Sequence, residues 1–251
     1  MRTANLALAT ALLAGPLGAQ SLEQRITRAP DGLVRLSYSA REGVCGNGRN
    51  VNWRHSDNKD GWSSDCDPGP VRVALEVQGG SVREVRTYVG GRWRDAERRA
   101  TDLGAVPARA AGEYFLALAG SGRELKGDPL VAAILADSIT VWPELIRIAR
   151  NSSIRTSVRK QAVFWLSQEA SAEATRGLTE LAESEREDQD LRKQAVFALS
   201  QLRNGEGVPT MIRLARADKD PVIRKQAIFW LGQSGDPRAV DFFAEVLTRK
   251  P

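Results

Sequence analysis

The stretch Ile223–Gln233 (IRKQAIFWLGQ) has two near-copies earlier in the chain, Val158–Gln168 (VRKQAVFWLSQ) and Leu191–Gln201 (LRKQAVFALSQ). The copies begin at residues 158, 191 and 223, so their starts lie 33 and 32 residues apart. A second, weaker pattern recurs between them, in Leu145–Arg150, Leu178–Glu183 and Met211–Arg216. Helix-like segments that recur in pairs at this period predict an α-solenoid, in which each helix pair packs on the next.

Capping residues mark where several of the predicted helices begin. Asp188 and Asp220 each precede a motif arginine by four residues, where an N-cap is expected. Pro221 then occupies the first helical position, whereas the first copy has Arg155 at the N-cap position. The predicted pairs are Val141–Arg150 with Val158–Gln168, Ala174–Ser184 with Leu191–Leu202, and Val208–Ala217 with Pro221–Gln233, and Arg238–Arg249 closes the stack.

Residues 101–137 have helical composition but lack the repeated motif. Ala108–Gly120 follows Pro107, and Pro129–Asp137 is a shorter, strongly apolar segment. We therefore expect two helices that cap the N-terminal end of the solenoid, with the repeats themselves at residues 138–251.

The first nineteen residues have the pattern of a secretory signal peptide. Arg2 precedes the apolar run Ala4–Gly15, and Gly18 and Ala19 supply small residues at a cleavage site after Ala19. A membrane anchor would need about 20 apolar residues, and Pro16 interrupts this run. We expect an exported protein, periplasmic or secreted, with no membrane span in the mature chain.

Export changes the interpretation of the two cysteines, Cys45 and Cys66. In an oxidising compartment an even number of cysteines favours a disulfide. A metal site would need two more cysteine or histidine ligands, and His55 is the only histidine. A disulfide closing a loop of about 20 residues is expected to stabilise the fold by roughly 3 kcal/mol.

Residues 20–100 alternate with the period of strands. Val71–Val77 and Val82–Val89 flank a Gly-Gly-Ser turn and predict a hairpin, and Leu33–Ala40 predicts another strand. A short extended segment is expected at Asn50–Arg54, inside the loop that the cysteines close. The sequence thus predicts a small antiparallel β unit, held together by the disulfide, in front of a mainly α chain.

The loop between the cysteines allows two sharper interpretations. Ser56, Asn58, Asp60 and Asp67 follow the ligand spacing of a calcium loop, with Gly61 at the position of its turn glycine. The serine at the first position and the aspartate at the last favour ordinary turn chemistry instead. The tryptophans Trp53, Trp62 and Trp93 form either the core of the β unit or a binding loop, for example for envelope polysaccharide.

The charge distribution argues against nucleic acid as a partner. The formal net charge is +5, but residues 101–251 carry 21 Lys and Arg against 20 Asp and Glu. A nucleic-acid-binding solenoid would concentrate basic charge on its binding domain.

Ile223–Leu247 closely resembles the short HEAT-like repeats found in phycobilisome lyases and many other bacterial proteins. The matching features are the apolar-Arg opening, the alanine four residues on, the Leu231-Gly232 pair and the Gly-Asp-Pro-Arg-Ala-Val turn. The resemblance covers roughly residues 138–250 and implies the repeat class, not an activity. Bilin attachment has no other support in the chain, and export argues against it.

Two stripes on the motif helices are expected to have different roles. Val158, Ala162 and Leu166 form a core stripe at helical spacing. In proteins that this chain resembles, the second helix of each pair lines the concave face, which suggests a partner-binding surface on the other stripe. Its residues are Lys160, Phe164, Gln168, Lys193, Phe197, Gln201, Lys225, Phe229 and Gln233.

The phenylalanines could instead pack between helices beside Trp165 and Trp230. A Phe197→Ser substitution would distinguish these alternatives, since an exposed ring contributes little to the melting temperature. The motif arginines Arg159, Arg192 and Arg224 are expected to be structural, binding carbonyls or carboxylates between repeats.

No catalytic motif supports an enzyme. The chain lacks Gly-x-Ser-x-Gly, His-Glu-x-x-His and a phosphate-binding Gly-rich loop. We therefore predict a non-enzymatic exported scaffold that binds a protein or peptide of the cell envelope on the concave face and has no cofactor. The alternatives are an enzyme accessory or lyase-like factor that holds a substrate in the groove, and polysaccharide binding through the β unit.

Overall fold

The computed structural model describes residues 20–49, 51–53, 66–93, 99–169 and 171–248. The expected signal peptide, His55, Trp62 and the calcium-type positions other than Asp67 lie outside these residues. Within them, no helix is both long enough and apolar enough to cross a membrane.

The N-terminal unit is a five-stranded sheet with a separate two-stranded ribbon. The sheet has the order β6-β1-β4-β5-β7, antiparallel at its centre and parallel at both edges. One face is apolar because alternate residues of β4, such as Val73 and Leu75, are buried. The elements are α1 (Leu22–Thr27), β1 (Gly32–Tyr38), β2 (Val44–Gly46), β3 (Val51–Trp53), β4 (Val71–Gln78), β5 (Ser81–Val89), β6 (Ala100–Ala105) and β7 (Lys126–Gly127).

The rest of the described chain is helical. The helices are α2 (Ala108–Gly120), α3 (Pro129–Ile134), α4 (Trp142–Arg150), α5 (Thr156–Ser167), α6 (Ala172–Glu183), α7 (Gln189–Ser200), α8 (Val208–Ala217), α9 (Pro221–Gln233) and α10 (Pro237–Thr248). In one layer α5 packs on α7 and α7 packs on α9, and the other layer contains α4, α6, α8 and α10.

The mainly α fold, an α-solenoid of stacked helix pairs preceded by a small β unit, is therefore confirmed. The side chains of Asp188 and Asp220 cap α7 and α9 as expected, and Pro221 begins α9. The first copy departs here too, since Arg155 makes no side-chain capping bond to α5. Local hydrogen bonds decide these features, which explains why the sequence reveals them.

The sheet extends past the expected boundary of the β unit at residue 100. Ala100–Ala105 is an edge strand that runs parallel to β1, and its residues are mostly exposed or half-buried. An edge strand with little burial has no alternating apolar pattern, so the sequence did not reveal it. The short helix α1 was also missed, although Ser21 and Gln24 form a capping box at its start.

The two parts of the molecule share one hydrophobic core. The main cluster of buried residues runs from α1 and the sheet through α2 and α3 into the repeats. Tyr38 on β1 donates a hydrogen bond from its hydroxyl to the carbonyl of Ala132 on α3, at 2.5 Å, and burial raises its pKa well above the ordinary value. An ion pair between Arg41 and Glu169, at 2.9 Å, joins the β unit to the α5–α6 turn.

The Cys45–Cys66 disulfide is present, with the two Cα atoms 5.2 Å apart. Cys45 lies on β2, and the bridge between Gly46 and Asp67 continues the pairing next to the disulfide. The covalent link thus anchors both ends of the loop to the ribbon and not to the apolar face of the sheet.

Candidate binding surface on the motif helices

The three motif phenylalanines lie on α5, α7 and α9, which we call the inner helices, and α4, α6, α8 and α10 are the outer helices. The three rings are exposed to different degrees. Phe164 on α5 is 37% exposed and Phe229 on α9 is 55% exposed, whereas Phe197 on α7 is half-buried. We call these three residues the Phe ridge. None of them is fully buried, although Phe197 packs against Trp230 of the neighbouring helix.

The neighbouring helix explains why Phe197 is less exposed. Its ring centroid lies 5.1 Å from that of Trp230 on α9. In α7, the residue equivalent to Trp230 is Ala198, whose methyl group is too small to cover Phe164 in the same way. The tryptophan–alanine difference between repeats therefore sets how much aromatic surface each repeat presents.

The lysines of the predicted stripe are partly neutralised. Lys160 forms an ion pair with Asp190 on the next inner helix, at 2.9 Å, and Lys193 approaches the same carboxylate at 3.6 Å. The hydrogen bond from Lys160 lowers the pKa of Asp190 below its ordinary value, and the charge of Lys193 adds to this effect. Lys225 is exposed, and no carboxylate in the described ranges forms an ion pair with it.

The glutamines lie where the inner helices end. Gln168 and Gln201 each donate from Nε2 to the hydroxyl of the preceding serine at 3.0 Å. Gln233 is exposed and follows Gly232, so this local bond is lost in the third copy. The first two glutamines line an open cleft of about 520 Å³ between successive repeats, together with Ser167, Glu169, Arg203 and Glu206.

We call this depression the glutamine cleft. Apart from Ser167, its other lining residues follow the motif and share no spacing with it, so the repeat pattern does not indicate them. The signal that could have found them is their position directly after the repeated glutamine.

The motif arginines are structural in the first two copies, as predicted. Arg159 and Arg192 are 5% and 4% exposed, and their Nε atoms donate to the carbonyls of Ala149 and Ala182 at 2.7 and 3.0 Å. The core stripe also holds, since Ala162 and Leu166 are fully buried and Val158 is half-buried. One stripe of the motif helix therefore packs in the core, and the other lies at the surface.

Trp93 is the tryptophan of the β unit whose side-chain surroundings are described, and Trp53 lies at the end of β3. Trp93 is half-buried, and the guanidinium groups of Arg35 and Arg72 lie 5.3 and 6.0 Å from its ring centroid. It packs with Leu33, Ala74 and Tyr88 on the face of the sheet opposite the main core. Trp93 is thus part of a small cluster shielded by cations. In the described residues, no group of three or more histidine, cysteine, aspartate or glutamate side chains could hold a metal ion.

Serine substitutions should separate the two kinds of ridge position. Phe229→Ser is expected to change the free energy of unfolding by less than about 1 kcal/mol, because more than half of the side chain is already exposed. Phe197→Ser should cost about 1–3 kcal/mol, because it removes the ring that contacts Trp230. Urea unfolding followed by circular dichroism measures both, and equal losses would contradict the difference in exposure.

Comparison with known proteins places the repeats in a recognised class. Residues 175–251 match the family model described as HEAT repeats. A solved structure, the complex of CpcE and CpcF of phycocyanin lyase from Nostoc sp. PCC7120, is 24% identical with a TM-score of 0.35. The match covers 45% of this chain and 44% of the matched chain in that structure, so this chain spans less than half the length of the matched chain. A search of curated proteins found no significant match.

Proposed function

Because residues 175–251 match HEAT repeats, we propose that the chain is an exported, non-enzymatic scaffold that binds a protein or peptide along the Phe ridge. HEAT repeats generally mediate protein interactions, and such solenoids bind partners on extended surfaces. The observation that carries the proposal is the exposure of Phe164 and Phe229 beside the half-buried Phe197.

Aromatic residues at this level of exposure suit a binding site. Large aromatic side chains supply much of the binding energy at protein interfaces, provided that neighbouring groups exclude water from them. Here Trp165 and Trp230 flank Phe164 and Phe229, with ring centroids 5.0 Å apart in both pairs. The aromatic surface is therefore broader than the three phenylalanines alone.

Polar groups at both borders of the ridge would fix the orientation of a partner. Lys225 supplies an ammonium group without an ion pair in the described chain, and the glutamine cleft supplies side-chain amides. An extended or helical peptide with apolar anchors and free backbone carbonyls would use both features. The ridge would bury the anchors, and the ammonium and amide groups would donate to the carbonyls.

Export of the protein rests on two features of the N-terminal part. The apolar run at residues 4–15 with its small-residue cleavage site is typical of a signal peptide, and the disulfide suits an oxidising compartment. We therefore propose residues 1–19 as a removed signal, a β unit that extends to about residue 105, capping helices up to residue 137 and repeats at 138–251.

Photo-crosslinking tests the ridge directly. Benzoylphenylalanine at position 229 of the exported chain should capture an envelope protein, whereas the same probe at Arg176, an exposed residue of α6 in the other helix layer, should not capture it. The triple variant Phe164→Ser, Phe197→Ser, Phe229→Ser should lose the partner in affinity capture. The matching triple leucine variant should keep part of the binding, because it retains apolar anchors.

The proposal fails if the serine variant recovers the same partners as the wild-type chain while its circular dichroism spectrum is unchanged. It also fails if position 176 captures the same proteins as position 229, since the capture would then not depend on the ridge.

A further inference from the structure

Each of the first two motif arginines joins its repeat to the following one through carboxylates. Arg159 on α5 binds Asp188 and Glu187, which precede α7, at 2.6 and 2.7 Å. Arg192 on α7 binds Asp218, which precedes α9. In these two repeats, the arginine of the inner helix therefore binds an acidic segment that directly precedes the next inner helix.

Arg224 on α9 has the same place in the motif but no such partner. Its Nη1 donates to the backbone carbonyls of Asp218 and Lys219, at 2.6 and 3.1 Å, and both belong to its own repeat. In the ranges that the structure describes, no carboxylate forms an ion pair with it. Its side chain is half-buried, unlike Arg159 and Arg192.

Apolar positions next to Arg224 are also uncovered. Val163 and Val196, four residues after the motif arginine, are fully buried because the next inner helix packs over them. The equivalent residue of α9 is Ile228, which is 42% exposed. Val222, at the start of the same helix, is 38% exposed.

Helix α10, in the other layer, gives a second and independent observation. Leu181 and Ala182 on α6 are fully buried, and Leu214 and Ala215 on α8 are 3% and 8% exposed. The ion pairs between successive helices of this layer, Glu183 with Arg213 and Arg216 with Glu245, align these positions with Val246 and Leu247 on α10, which are 52% and 84% exposed. In the described chain both helix layers thus end in a surface that is covered in the earlier repeats, which we call the α9–α10 end.

We propose that the α9–α10 end binds a helix of a separate partner protein, one that has an acidic N-terminal turn and an apolar stripe. The carboxylates of that turn would bind Arg224 as Asp188 and Asp218 bind the earlier arginines, and the stripe would cover Ile228. An acidic residue is favoured at this position for two reasons. It caps the partner helix, whose N-terminal dipole favours negative charge, and it neutralises the guanidinium group of Arg224.

The charges favour a different protein over a second copy of this chain. The acidic segments that precede α7 and α9, which bind the motif arginines within the chain, are already engaged, since Glu187 and Asp188 bind Arg159, and Asp218 binds Arg192. Offering them to a second molecule would leave a nearly buried arginine without a counter-ion, which is costly. The surface adjoins the Phe ridge, since Ile228 and Phe229 are consecutive residues of α9, but the inference rests on Arg224 and Ile228 and does not depend on the proposed function.

A peptide from the chain itself provides a defined probe. Residues 185–202 contain the acidic lead-in and α7, the helix that covers α5 in the native protein. A side-chain-stapled version, which keeps an isolated helix ordered, is titrated into the chain expressed from Gln20 and followed by fluorescence anisotropy. Arg224→Gln should weaken binding about tenfold or more, because a hydrogen-bonded charge pair is lost, and Ile228→Ser should weaken it several-fold.

The controls remove similar groups elsewhere. Arg213→Gln, at an exposed arginine of α8 paired with Glu183, should leave binding unchanged. A peptide with Glu187→Gln and Asp188→Asn keeps its cap, since asparagine caps as well as aspartate, but it should bind the wild-type chain no better than it binds the Arg224→Gln chain.

Two results would overturn the proposal. One is peptide binding that is absent at millimolar concentration or is insensitive to both Arg224→Gln and Ile228→Ser. The other is a dimer of the wild-type chain in sedimentation velocity that either substitution dissociates, which would assign the surface to a second copy.

Discussion

Replacing Arg192 by methionine is expected to lower the free energy of unfolding by about 3–5 kcal/mol. Only 5% of the arginine side chain and 6% of its partner Asp218 are exposed. Methionine fills much of the same volume but leaves Oδ2 of Asp218 and the carbonyl of Ala182 without a donor, while Oδ1 of Asp218 keeps its hydrogen bond from the backbone of Asp220. An uncompensated buried charge accounts for most of the loss, which urea unfolding monitored by circular dichroism measures.

Arg224→Met is the matched control, because it makes the same substitution at the same motif position. Arg224 is half-buried and binds only backbone carbonyls, which water can reach in its place. The expected loss is about 1 kcal/mol or less. Similar losses for the two variants would mean that the carboxylates between repeats do not stabilise the stack.

Removing the disulfide should have the second largest effect. The variant Cys45→Ala, Cys66→Ala frees a loop with a sequence separation of 21 residues, and the loop-closure entropy of the unfolded chain predicts a loss of about 3 kcal/mol. Cys45 is nearly buried on β2, where alanine leaves only a small void. Chemical denaturation of the variant under oxidising conditions measures the loss.

The location of this effect is as informative as its size. Because the β unit and the helices share one core, hydrogen exchange should report faster opening in β4 and β5 and a smaller change in α6–α9. Wild-type protein treated with a thiol reductant is the control and should match the double variant. A variant as stable as the oxidised wild-type chain would contradict the role assigned to the disulfide.

Much of the helical part was predictable from the sequence. The bounds of α2, α8 and α9 agree with expectation, and those of the other repeat helices differ by one to two residues. The repeated motif, the aspartate caps and Pro221 all act through bonds within one helical turn. By contrast, the edge strands β6 and β7 depend on partners far along the chain, and neither was expected. The short ribbon strand β2 was not expected either, although its partner β3 is near in sequence.

The candidate surface was predictable only as a set of positions. The helical period places Phe164, Phe197 and Phe229 on one stripe, away from Ala162 and Leu166. It does not state their exposure, because the residue that covers each ring comes from the next repeat, about 30 residues away. The glutamine cleft depends in the same way on two turns from different repeats.

The sequence by itself determined the repeat period, the helix starts and the pairing of the two cysteines, because spacing and composition within a short stretch decide each of them. The tertiary structure alone decided which of the motif arginines have carboxylate partners. Arg159, Arg192 and Arg224 each begin the same four residues, Arg-Lys-Gln-Ala, yet the first two are buried on carboxylates of the following repeat and the third is not. Burial and ion pairing depend on the helix that packs next in space, and identical motifs therefore acquire different roles.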